Sequence, residues 1–143
     1  MSDYSDALAS LHTTLVDSRN GYDEAIKDAG KTGLVSLFEE MAALRRQAIA
    51  EIEPLLIKAG LKPDEDGSFM STVHRTIISV QSMLTDLDEK VLPGFIDGEK
   101  RIVEYYNDAI EKSGDPDREL LTRQRSDVTE RISEMERRRQ KAA

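Results

Sequence analysis

The sequence predicts an all-α fold, an antiparallel bundle of four long helices with a shorter helix in the connection between the second and the third. Three observations lead there. Apolar residues recur at three- and four-residue steps along four long stretches, the spacing of one helix face. Most glycines and prolines fall between or at the ends of those stretches. The chain has 143 residues and no cysteine, so one apolar core without disulfides must hold it together, and that length suffices for a single domain over 1–143.

The first helix is expected over residues 3–29, with Ser2 as N-cap. Tyr4, Leu8, Leu11, Leu15, Tyr22, Ile26 and Ala29 form its stripe, and Gly30 suits the left-handed position after its end. The second follows at once, over 33–59, with Thr32 as N-cap and Gly60 as its stop. Its stripe is Leu34, Leu37, Phe38, Met41, Leu44, Ala48, Ile52, Leu55 and Leu56. Pro54 lacks an N–H and should kink or break the helix. So short a loop makes the first two helices an antiparallel hairpin.

Pro63-Asp64-Glu65-Asp66-Gly67 marks a loop. A calcium-loop register with Gly67 as the turn glycine would put Lys62 at the first ligand position, so the acidic run is expected to be solvated. Ser68 can cap a short helix over 69–84, with Phe69, Val73, Ile77, Val80 and Leu84 on one face. The third long helix is expected over 86–112, with a kink or false start at Pro93-Gly94. Its stripe is Leu92, Phe95, Ile96, Ile102, Val103, Tyr106 and Ile110, and Ser113-Gly114 ends it. Asp115 as cap and Pro116 at the first helical position then open a fourth helix running to Gln140, striped by Leu120, Leu121, Val128, Ile132 and Met135. Two hairpins joined by a long crossing connection result.

Several function classes drop out. The formal net charge is -8, with 28 acidic against 20 basic residues, so phosphate backbones repel the chain and no nucleic acid is expected as partner. The basic run Arg137-Arg138-Arg139-Gln140-Lys141 falls at a helix C-terminus, where cations offset the dipole. Met1-Ser2-Asp3-Tyr4 has neither the charge nor the apolar run of a signal peptide, and no stretch is long enough to span a membrane. A cytoplasmic location is expected. The chain has no Gly-x-Ser-x-Gly turn, no glycine-rich phosphate loop and no thiol. His12 at the edge of its stripe and His74 outside its own are expected at the surface or boundary.

One pattern stands out inside the apolar stripes. Glu99 lies on the third stripe, between Phe95 and Ile102. Gln124 lies on the fourth, with Arg131 close by, and Arg45 falls between Met41 and Ala48 on the second. Ser18 and Arg19 fill the gap between Leu15 and Tyr22 on the first. Each helix thus turns a polar residue inward near mid-length. A buried carboxylate needs a cation or a metal. One reading is a buried pair of Glu99 and Arg45, helped by Gln124 and Tyr106. The other is a metal site at the bundle centre, with Glu99 and Asp127 as ligands. Metal-carboxylate bundles use a Glu from each of two helices and Glu-x-x-His from the other two. Here Gln124-x-x-Asp127 has that spacing with other residues, and neither histidine lies in such a motif.

Certain segments carry a resemblance: residues 11–22 (LHTTLVDSRNGY), 37–52, 61–75, and Gly98-Glu99 followed by Tyr106. With these the chain resembles the bacterial ferritin-like domain family of unknown function, and it is distantly similar to the YciF-type stress proteins. The resemblance implies a ferritin-like bundle and little about activity. By analogy with metal-binding relatives, ligands would fall at Glu99, near Gln124 and Asp127, near Gln47, and near Asn20 or Gly21. Most of those places lack a carboxylate or imidazole here, which argues against oxidase or iron-storage chemistry.

The expectation is therefore a non-enzymatic ferritin-like bundle without a cofactor, stress-related or a protein-interaction module, as a monomer or as a homodimer through residues such as Ile78. The alternative is a di-iron-type metal bundle or oxidase holding iron or another divalent metal. A third reading is a small-molecule carrier with a pocket beside Tyr106.

Overall fold

The computed structural model describes residues 3–29, 33–63 and 91–142. They form four helices: α1 (Asp3–Ala29), α2 (Leu34–Lys58), α3 (Leu92–Lys112) and α4 (Asp117–Ala142). No strand occurs among the described residues. The expected helix over 69–84, with Ile78, lies outside them, as do the proposed caps Ser2, Gly30 and Thr32.

Helix ends follow local chemistry, with small shifts from expectation. Gly33 rather than Thr32 is the N-cap of α2, and it makes no side-chain cap bond. Its carbonyl instead accepts from Arg138 Nη2 at 2.6 Å. α2 runs unbroken through Pro54 to Lys58. The proline costs the carbonyl of Ala50 its helical donor, and both residues lie on the exposed face, where water can replace that bond. Gly60 then adopts φ 82°, and the N–H groups of Gly60 and Leu61 bond the carbonyls of Ile57 and Leu56 at 3.0 and 2.9 Å. That is a Schellman stop, and only glycine takes this φ without strain. At α3, Val91 is the N-cap and Pro93 sits in the first turn, where no N–H is needed. The proline begins the helix rather than kinking it. α4 begins at Asp117, one residue later than Asp115 as cap would place it.

Contacts between helices set their directions. Tyr22 meets Phe38 with ring centroids 5.8 Å apart, and Ser18 meets Arg45, so α1 and α2 run antiparallel. Lys100 pairs with Glu136 and Tyr106 with Gln124, so α3 and α4 do too. α4 lies antiparallel along α2 through Arg138 to Gly33, Arg131 to Glu40 and Arg123 to Glu51. α1 lies antiparallel along α3: Tyr22 meets Phe95 at one end, and Asp3 acts on Lys112 at the other. α2 and α3 therefore run parallel on opposite corners. Residues 63 and 91 consequently lie at opposite ends of the bundle.

The core has two halves. One is built from Leu8, Leu11, Leu15, Ile52, Leu56, Ile102, Leu121 and their neighbours. The other gathers Tyr22, Leu34, Phe38, Met41, Leu92, Ile96 and Met135. Each such side chain, fully buried, contributes on the order of 1.5–3 kcal/mol. Ser18, Arg45 and Glu99 lie between the halves.

Candidate functional site

The helical period places the polar residues. Arg45 falls four residues after Met41 and three before Ala48, so it shares their inward face, and its side chain is 0% exposed. Glu99 lies three residues after Ile96 and three before Ile102, on their buried face, and is 2% exposed. The two meet as a buried ion pair, Arg45 Nη2 on Glu99 Oε1. Arg45 Nε donates to Ser18 Oγ at 3.1 Å. The other carboxylate oxygen, Oε2, accepts from the hydroxyl of Tyr22 at 2.7 Å. Three helices thus close on one carboxylate.

Tyr106 and Gln124 form a second arm rather than bonding the pair. Tyr106 donates to Gln124 Oε1 at 2.8 Å. Gln124 Nε2 donates to the Ala48 carbonyl at 3.3 Å and to Glu51 Oε1 at 3.0 Å. Glu51 also takes Arg123 Nη2 at 2.9 Å. This arm ties α3 to α4 and α4 to α2. Arg131 stays partly exposed, pairing with Glu40 and Glu134, and takes no part.

Electrostatics follow burial. Desolvation pushes the Tyr22 phenol far up, against the opposing charge of Arg45. Tyr106 is raised for the same first reason. Burial lowers the Arg45 guanidinium, while the nearby phenols work upward. Burial also works upward on Glu51, but hydrogen bonds from Gln124 and Arg123 outweigh it and hold the carboxyl below its usual value.

Between α2 and α4, Arg45, Ala48, Glu51, Tyr106, Gln124 and Asp127 line a cavity of about 20 Å³. It leads to the seam beside exposed Gln47 and Arg123. Asp127 is on this wall, while Glu99 belongs to the ion pair. Among the described residues, no three of His, Cys, Asp and Glu gather as a metal group needs. Each Glu99 oxygen already has a partner, the Tyr22 hydroxyl on one and the Arg45 guanidinium on the other.

Some buried groups were not foreseen. Tyr22 was assigned to the stripe, but its hydroxyl is the second partner of Glu99. His12, expected at a boundary, is buried, and so is Asp17. His12 stands at the edge of the α1 stripe, four residues after Leu8 and three before Leu15, whereas Asp17 falls outside that stripe.

A family profile matches residues 3–112. The chain belongs to the family described as Domain of unknown function (DUF2383). The DUF2383 match spans α1, α2 and α3, and so includes Ser18, Tyr22, Arg45, Glu99 and Tyr106. It stops before α4, leaving Gln124 and Asp127 outside. No curated protein matches the chain, and neither does any solved structure. Among the described residues, no helix is long and apolar enough to cross a membrane.

Proposed function

We propose that the protein is a non-enzymatic, ferritin-like bundle that acts as a protein-interaction module in the cytoplasm, its centre closed by its own ion pair. The observation that carries this reading is the guanidinium of Arg45 on Glu99, inside a bundle whose polar groups bond mainly to one another. A carboxylate whose charge is already compensated by a buried guanidinium is less drawn to a metal or a substrate proton. Two hairpins, with α2 and α3 parallel, support the ferritin-like part, since bundles with one long crossover share that arrangement. The resemblance to YciF-type proteins adds a stress-related setting.

The test is elemental analysis of untagged protein purified without chelator, before and after aerobic incubation with ferrous iron. No bound iron, manganese or zinc in either state is the expected result. Near-stoichiometric metal that disappears in Glu99→Gln would replace this reading with the metal-bundle one.

A further inference from the structure

The Arg45 guanidinium has three donor-bearing nitrogens, and two are accounted for: Nε on Ser18 and Nη2 on Glu99. The third, Nη1, is fully buried and has no hydrogen-bond partner among the described residues. A buried donor left in this state costs on its own about as much as a typical hydrogen bond contributes, or more. Arg45 also lines the cavity of about 20 Å³ between α2 and α4. A void needs roughly 10–15 Å³ to hold one water molecule. The cavity is therefore large enough for one water and too small for an organic ligand.

We infer that this cavity is a binding site for a single structural water, held by Arg45 Nη1 and shared with the Tyr106–Gln124–Glu51 arm. Its lining decides against a small anion, the other guest that a guanidinium attracts. Glu51 and Asp127 on the wall balance Arg45 and Arg123, so the lining carries no net positive charge to hold a halide. They suit water, which accepts from Nη1 and has two protons to donate. Acceptors for those protons are at hand in the carboxylates of Glu51 and Asp127 and in the Tyr106 oxygen, all on the lining. Two to four polar partners are what an ordered internal water requires. Tyr106 is near enough to feel the charge of Arg45, and both residues line the void.

The water makes one network of two. Without it, Ser18, Tyr22, Arg45 and Glu99 form one group, and Tyr106, Gln124, Glu51 and Arg123 another. With it, hydrogen bonds run unbroken from α1 to α4 and out to the seam. Bridging water of this kind is nearly as favourable as a direct bond.

A high-resolution crystal structure of the full chain, grown with bromide in place of chloride, tests the site. One ordered water within roughly 2.7–3.2 Å of Arg45 Nη1, with no anomalous peak there, is the expected result. A bromide peak at that position would make it an anion site and overturn the inference, as would an empty cavity. In solution, a nuclear Overhauser contact between a long-lived water and the Tyr106 or Arg45 side chain is expected. Its absence, with those resonances assigned, would also sink the proposal.

Discussion

The two halves of the core are held by different means. The half around Leu8, Leu11, Ile52 and Ile102 is mainly aliphatic, and its outer end is clasped by Asp117. That buried carboxylate accepts from the Tyr4 hydroxyl at 2.7 Å and from Lys58 Nζ at 3.1 Å, joining the ends of α1 and α2 to the start of α4. The other half is aromatic: Tyr22, Phe38 and Phe95 form a triangle with centroids 4.8–5.8 Å apart. Its Tyr22 turns away from the triangle at the hydroxyl and enters the central layer. Both halves thus use a tyrosine hydroxyl on a buried carboxylate. One carboxylate meets a lysine that reaches solvent, the other an arginine that does not. The middle of the molecule should therefore be far more sensitive than the end.

The largest expected effect separates the two. Arg45→Ala leaves Glu99 buried and uncompensated, at a cost of about 3–5 kcal/mol. Replacing both partners, as Arg45→Met with Glu99→Leu, removes the charge altogether and should recover most of that loss. Urea denaturation of the single and double variants checks this. A double variant as unstable as the single one would mean that the layer specifies the fold beyond charge compensation.

Next comes the tyrosine pair. Tyr22→Phe leaves Glu99 Oε2 without its donor and should cost about 1–3 kcal/mol. Tyr4→Phe leaves Asp117 beside Lys58 and water, and should cost about 0.5–1.5 kcal/mol. Equal losses in thermal melts would erase the distinction between the middle and the end.

Alkali offers a third comparison. The phenols of Tyr22 and Tyr106 are raised above their ordinary value of 10.0, chiefly by burial. A raised folded value means that the stability they contribute is whole below pH 10.0 and is lost as the pH climbs toward the folded value. The denaturation midpoint should fall as the pH climbs past that point, and less steeply in a Tyr22→Phe, Tyr106→Phe variant. A wild-type midpoint that stays flat there would count against deep burial of these hydroxyls.

What the sequence could disclose follows from what periodicity measures. A step of three or four residues tells which way a side chain faces, so Arg45, Glu99, Tyr106 and Gln124 could be placed inward from the stripes alone. It does not tell how far one helix slides along another. That axial register pairs Tyr22 with Glu99 and gives Tyr106 to Gln124, and neither pairing could be read beforehand. Nor does one stripe describe a helix buried on more than one face, which is why His12 was expected at the surface or boundary and Asp17 went unnamed, though both are buried. End chemistry was legible to within a residue or two. Gly60 was expected as the stop of α2 and is its stop, whereas α2 and α4 each start one residue later than Thr32 and Asp115 as caps would place them.

The smallest effect belongs to the mouth of the seam. The Glu51 side chain is 30% exposed and that of Arg123 is 51% exposed, so water screens their attraction. The Glu51 carboxyl still lies below its ordinary 4.5, because the bonds from Gln124 and Arg123 outweigh burial. A lowered folded value contributes stability that is present above pH 4.5 and lost as the pH falls toward the folded value. Glu51→Gln should therefore shallow the acid limb of the stability profile. Near neutral pH it should cost only about 0.2–1 kcal/mol, less in high salt. Urea melts across the acid range, at low and high salt, decide the point. A loss as large as that of Arg45→Ala would mean that the seam, and not the buried pair, governs the polar layer.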